Sequence, residues 1–165
     1  MKLGILSDTH NHTQNLARAL SIFRSRAVTT LIHCGDMTSP KTAVLLKNVH
    51  VIAVTGNMDM NTGRLEQTLK QLNPQNSLSA TFTGEIEGVA IAATHSHRGN
   101  VPDLVANGRF SYIFHGHTHR RRDEQVNDTR IINPGALGGT RHELRSICIV
   151  NLATDAVEFI SIPEP

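Results

Sequence analysis

Three short apolar runs near the start of the chain, separated by segments of helical spacing, do most to limit the fold. Lys2–Leu6, Thr29–His33 and Val49–Thr55 are too short for typical helices. They are apolar or β-branched through most of their length, as strands covered on both faces are. Between them, Leu16, Leu20 and Phe23 recur at helical spacing after Thr13, a candidate N-cap. Ser39-Pro40 reads as a cap with proline in the first helical turn. Leu65, Leu69 and Leu72 mark a third helix, stopped by Pro74. The order βαβαβα calls for parallel strands with helices on the faces.

The second half reads differently. Ser79–Thr83 and Val89–Thr94 flank a glycine-containing turn and predict a hairpin. Pro102–Asn107 predicts a short helix with Gly108 as its left-handed stop, and Ser111–Phe114 a strand. Val126–Ile132, Leu144–Asn151 and Ala156–Ile162 follow as strands with almost no helix between them. The expectation is an α/β fold in one domain over residues 1–165. Two mixed β-sheets pack together with helices outside; one large twisted sheet is the alternative.

Polar residues fall where these strands end. The first runs into Asp8-Thr9-His10, the second into Gly35-Asp36 and the third into Gly56-Asn57. Val89–Thr94 runs into His95-Ser96-His97, and Ser111–Phe114 into His115-Gly116-His117-Thr118-His119. Ligands of open α/β sheets bind just beyond the carboxyl ends of strands. Residues i and i+2 at a strand end point the same way, so Asp8 with His10, and His117 with His119, can face one site. Asp8, His10, Asp36, Asn57, His95, His117 and His119 offer oxygen and imidazole nitrogen, the donors of divalent metals. Seven side chains exceed what one tetrahedral ion needs and suit two ions sharing a carboxylate. Each short motif alone is commonly a polar turn; the set, each member at a strand end, is what carries the signal.

Composition agrees and narrows the function class. Ten histidines stand against five Phe, one Tyr and no Trp. That is rich in the commonest metal ligand and poor in base-stacking aromatics. A formal charge of +2 gives no strong pull toward nucleic acid or an anionic membrane. No run approaches the roughly 20 apolar residues that span a bilayer. The opening MKLGILSDTH lacks a signal-peptide core, and Cys34 and Cys148 are too few for a disulfide scaffold, so a cytoplasmic setting is expected. Of the remaining histidines, His33 reads as a hydrogen-bonded core residue, and His50 and His142 as surface. His115 reads as a support to the site, and His12 as a neighbour able to touch substrate. Arg120-Arg121-Arg122, followed by Asp123 and Glu124, reads as a solvated turn.

In this order, Asp8-x-His10, Gly35-Asp36, Gly56-Asn57, His95 and Gly116-His117-Thr118-His119 resemble the motif set of the calcineurin-like metallophosphoesterases. The likeness runs from Asp8 to Gly135. The short length and Ile132-Asn133-Pro134-Gly135 resemble the minimal bacterial and archaeal phosphodiesterases, which are related in fold to the retromer subunit Vps29. The resemblance implies a four-layer α/β/β/α sandwich. It implies Asp8, His10, Asp36 and His119 around one ion and Asp36, Asn57, His95 and His117 around a second, Asp36 bridging. The cofactors implied are two divalent metal ions, Mn²⁺ foremost, with iron, Zn²⁺ or Ni²⁺ as alternatives. The reaction implied is hydrolysis of a small phosphate ester by a metal-bridging hydroxide, with Asn57 and His97 offsetting charge on the phosphoryl oxygens.

Two positions depart from the family pattern. Larger phosphatases carry His after Gly-Asn, and here Met58 stands there and cannot donate a proton to the leaving group. Esters with good leaving groups, and phosphodiesters ahead of monoesters, are therefore expected. Ser96 stands between His95 and His97 where glycine is common. Neither a membrane nor a nucleic acid is expected as partner, and a homo-oligomer, dimer or tetramer, is compatible with the reading. The rival is a catalytically weak binding scaffold of the Vps29 kind, which has no use for all seven ligands.

Overall fold

Each apolar run of the first half becomes a strand with both faces covered. The computed structural model describes residues 1–163. β1 (Lys2–Leu6), β2 (Thr30–His33), β3 (His50–Val54) and β4 (Ser77–Ser79) lie parallel and in that order. β10 (Ser146–Asn151) and β11 (Ala156–Ser161) complete this six-stranded sheet, with β10 antiparallel to β1. The second sheet has the order β5-β6-β7-β9-β8. Its strands are β5 (Thr81–Ile86), β6 (Val89–Thr94), β7 (Tyr112–His115), β8 (Arg121–Val126) and β9 (Thr129–Pro134). β6, β7 and β9 are parallel, while β5 and β8 pair antiparallel at the edges, so both sheets are mixed.

Three apolar clusters fill the three spaces between four layers. Leu16, Ala19 and Phe23 of α1 (Thr13–Ser25) join Leu65 and Leu69 of α3 (Thr62–Leu72) and Ala43 of α2 (Pro40–Ala43) against Leu6, Leu31, Val51 and Ala53. Leu3, Ile5, Ile32, Ile52 and Val54 face Ile91, Ala93, Tyr112, Phe114 and Ile132 between the sheets. Val101 of α4 (Val101–Ala106) packs with Phe110 on Ala92, Ile113 and Ile131, the outer face of the second sheet. The strand pleat sends alternate residues to alternate layers. Gly4 faces the helices, and a Cβ there would meet Leu31 Cδ2 at 2.5 Å and Phe23 Cε1 at 2.7 Å. The architecture is the four-layer α/β/β/α sandwich, and the single large sheet is excluded.

The differences from expectation lie in the second half and at one cap. Ser79–Thr83 is not one strand. Ser79 ends β4 in the first sheet and Thr81 begins β5 in the second, so this segment carries the chain across the sandwich. Val126–Ile132 straddles a turn, since Val126 ends β8 and Thr129 begins β9. Arg120–Glu124 is mostly strand: Arg121–Val126 pairs with β9 although its sequence is almost wholly charged or polar. His12, not Thr13, holds the N-cap position of α1, and no side chain caps that end. Ser39 caps α2 as expected, accepting from Thr42 N, and Gly108 has φ +66°.

Candidate metal centre

The carboxyl ends of β1, β2 and β3 in one sheet and of β6 and β7 in the other converge on a single site. Asp8, Asp36 and His95 are buried, His10 and His119 are partly buried, and Asn57 and His117 are exposed at the opening. Asp8, His10 and His119 present atoms mutually close enough to hold one cation, and so do Asp8, Asp36 and His95. Asp36 Oδ2 lies 3.6 Å from His10 Nε2 and 3.3 Å from His95 Nε2, between the two groups. Asn57 Oδ1 lies 3.2 Å from His95 Nε2, and the His117 ring centroid is 5.1 Å from that of His95. The His97 ring lies beside them, tilted, with its centroid 5.5 Å from that of His95 and 6.3 Å from that of His117. All seven expected side chains, and His97, are thus brought together.

The backbone is bent to do this. Asp8, His10, Asp36, His117 and His119 have φ between +45° and +72°. For side chains other than glycine this conformation costs roughly 1–2 kcal/mol each. Such strain persists only where surrounding structure enforces it, and it gathers at functional sites. Ser96 also sits at φ +71°, which explains why glycine suits that position and shows that serine can adopt it. Space is short as well. A Cβ on Gly56 would overlap Asp36 Oδ1, and one on Gly35 would lie 2.5 Å from His95 Nδ1.

Hydrogen bonds orient the rings. His95 Nδ1 donates to the Cys34 carbonyl at 2.7 Å, and His119 Nδ1 to the Thr140 carbonyl at 2.7 Å. A carbonyl only accepts, so the proton belongs to Nδ1 and the Nε2 lone pair of each ring faces the carboxylates. Asp8 Oδ2 accepts from His117 N at 3.1 Å. Asp8 Oδ1 is buried and accepts no hydrogen bond, with His119 Nε2 at 3.2 Å, His10 Nε2 at 3.8 Å and His95 Nε2 at 3.9 Å around it. A buried carboxylate oxygen without a partner is costly unless a cation completes it.

Titration behaviour fits the same picture. Burial acts to raise the Asp36 carboxyl, but the His95 ring and the Met58 N–H outweigh it and hold it below the ordinary value. Burial acts to lower His95, and Asp36 overcomes it, so that ring sits above the ordinary imidazole value. Asp8 raises His119. Burial dominates at His10 and leaves it lowered despite Asp36 and Asp8. The carboxylates draw positive charge onto the rings facing them, the electrostatic condition for a divalent cation. Residues with this donor set fit Mn²⁺, iron, Zn²⁺ or Ni²⁺.

Several contributors were not evident in the sequence. Asp59 is 8% exposed and accepts from Asp36 N at 3.1 Å, Thr38 N at 2.6 Å and Gly56 N at 2.7 Å, tying the Asp36 loop to the Asn57 loop. The only available signal was an acidic residue two positions after Asn57. Gly139, at φ +63°, leaves room for the facing edges of His10 and His119. Asn133 Nδ2 donates to Gly116 O at 2.9 Å and braces the His117 turn. Of the remaining histidines, His33 bonds Thr9 Oγ1 at 2.8 Å inside the core as expected, and His12 is exposed on the rim. His142 is exposed, yet its ring centroid lies 6.2 Å from His119, so it borders the site.

Comparison with known proteins gives a consistent result. A family model described as the calcineurin-like phosphoesterase superfamily domain matches residues 1–155. The phosphodiesterase MJ0936 of Methanocaldococcus jannaschii is 37% identical over 142 residues, covering 84% of this chain and 86% of its own. A solved structure described as a novel archaeal phosphodiesterase has 34% identity and a TM-score of 0.90, covering 98% of this chain and 99% of its own. At the level of fold alone, the Escherichia coli phosphoesterase YfcE aligns with a TM-score of 0.71 at 21% identity, covering 99% of this chain and 100% of its own. Vps29 of Entamoeba histolytica aligns at 0.69 and 16%, also covering 99% of this chain and 100% of its own.

Proposed function

Because the chain belongs to the calcineurin-like phosphoesterase superfamily, we propose that it hydrolyses a small phosphodiester at a centre holding two divalent metal ions. Asp8, His10, Asp36 and His119 would hold one ion, and Asp36, Asn57, His95 and His117 the other. The observation that carries this reading is the partnerless buried Oδ1 of Asp8, set among three imidazole nitrogens beside a carboxylate that two groups share. Mn²⁺ is the leading candidate, with iron, Zn²⁺ and Ni²⁺ as alternatives. When bound, such ions lower the pKa of water to supply hydroxide near neutral pH and polarise the phosphoryl group.

The chain's own residues do the rest. The Cys34 and Thr140 carbonyls fix the tautomers of His95 and His119. Asn57 and His97 stand at the mouth and would meet phosphoryl oxygens. Met58 is 48% exposed and offers no proton, so a substrate with a good leaving group is favoured. Cys34 and Cys148 are free and buried, in keeping with a reducing, cytoplasmic setting. No described helix is long and apolar enough to cross a membrane. The whole chain acts as one domain on this reading, alone or as a dimer or tetramer.

The test is hydrolysis of bis(p-nitrophenyl) phosphate by protein loaded with Mn²⁺. Wild type turns over, and Asp36→Ala and His117→Ala lose both bound metal and rate. Unchanged rate and metal content in both variants would overturn the assignment.

A further inference from the structure

A phosphodiester carries two alcohols, and hydrolysis releases one of them. Beside the Asn57–His95 group opens a pocket of about 150 Å³, lined by Thr55, Thr81, Thr94, His97, Arg98 and Asn100. Ala80 is its one wholly apolar side chain. Its walls continue the site itself, because Thr55 precedes Gly56-Asn57 and His97-Arg98 follow His95. Thr81 and Thr94 are direct cross-strand partners on β5 and β6. Asn100 links them: Thr94 Oγ1 donates to Asn100 Oδ1 at 2.9 Å, and Asn100 Nδ2 donates to Thr81 Oγ1 at 3.2 Å. Ser96 N donates to Thr94 Oγ1 at 3.3 Å. The polar groups are therefore held in fixed orientation. In these bonds Thr81 Oγ1 accepts and Asn100 Nδ2 uses one of its two N–H groups, which leaves the Thr81 hydroxyl proton and a second Asn100 N–H to donate.

We propose that this pocket takes the retained alcohol of the substrate, and that this alcohol is a small polyol such as a glyceryl or pentosyl group. The proposal rests on the phosphodiesterase reading above. Size sets the first limit. At about 150 Å³ the pocket suits a small group. Chemistry sets the second. Donors left to bond in a partly enclosed pocket are satisfied by hydroxyls and left unpaired by an alkyl group. Hydrolysis breaks the bond from phosphorus to the other ester oxygen and adds a water-derived hydroxyl to phosphorus. The second water proton goes to the departing alcohol or to solvent, and the polyol monophosphate remains in the pocket.

A matched pair tests this: 3,4-dihydroxybutyl p-nitrophenyl phosphate against butyl p-nitrophenyl phosphate, which share leaving group and chain length and keep the hydroxyls off the position from which they would displace p-nitrophenolate through a five-membered ring. The Mn²⁺-loaded protein is expected to favour the diol in kcat/KM by about tenfold, the effect of roughly one hydrogen bond. Thr81→Val, an isosteric change, and Asn100→Ala are expected to bring that ratio toward one. Calorimetric titration with glycerol 1-phosphate and propyl phosphate gives a readout independent of turnover, with the same preference expected. Equal turnover and equal binding of the paired compounds overturn the pocket and leave the phosphodiesterase reading standing. Absence of turnover with either ester and with bis(p-nitrophenyl) phosphate overturns that reading instead. The calorimetric preference then decides the pocket alone, tighter glycerol phosphate supporting it and equal affinity refuting it.

Discussion

Asp59 holds no proposed metal, yet three backbone N–H groups from the two loops that carry Asp36 and Asn57 donate to it. Asp59→Ala leaves those donors without acceptors and frees Asp36 to leave its left-handed conformation. A loss of about 3 kcal/mol is expected from hydrogen bonds to a charged acceptor, read from the urea midpoint, together with weaker metal binding. His33 sets a second prediction. Burial lowers it to about 4, against the opposing pull of Asp59 and Asp8. Its unfolded value is near 6.5, so between about 6.5 and 4 the unfolded chain binds the extra proton and acidification destabilises the fold. In metal-free protein His95 and His119 act in the opposite sense, because their raised values favour the folded state on protonation. Comparison with His33→Gln isolates the His33 contribution. Wild type should lose stability relative to the variant by up to about 1.4 kcal/mol per pH unit across that window, and parallel curves would refute it. The residues that carry chemistry were legible because each lies at the end of an apolar run. Asp59, Gly139 and the carbonyls of Cys34 and Thr140 were not. Their roles are backbone hydrogen bonding and close approach, which leave no pattern in residue type.

At the scale of elements, β1, β2 and β3 were readable because a parallel strand covered on both faces must be apolar throughout. β8 was not. Arg121–Val126 is an edge strand in which no alternation of apolar and polar residues marks a core face, and its place is fixed by pairing with β9 and by Arg130 holding Asp123 at 2.8 Å. Charged edges of this kind also discourage pairing with other chains. The passage from β4 to β5 was missed for a similar reason, since one polar stretch serves two sheets and nothing in residue type marks the crossing. The packing of α1 on β1 has its own test. Gly4→Ala places a methyl against Leu31 and Phe23. A cost of about 1–3 kcal/mol is expected from overpacking. Truncating Phe23 in the same chain should then cost less than it does in wild type.

For the whole molecule, the two sheets pack face to face, and their strand ends bring Asp8, Asp36, Asn57, His95 and His117 into one place from five segments. Vps29 shares this fold, and a fold does not by itself specify a reaction, so the ligand set has to carry the claim of hydrolysis. Distance along the chain is the reason the site could be listed from the sequence but not assembled. His10 Nε2 and His119 Nε2, 109 residues apart, meet at 3.2 Å only because β1 and β7 belong to facing layers. The central claim is that this convergence holds two ions and hydrolyses a phosphodiester. It is tested most directly by adding Mn²⁺ stepwise to metal-free protein and following the hydrolysis of bis(p-nitrophenyl) phosphate. The rate should rise until two equivalents per chain are bound and then level. A rate that levels at one equivalent, or that never rises above the metal-only blank, would contradict it.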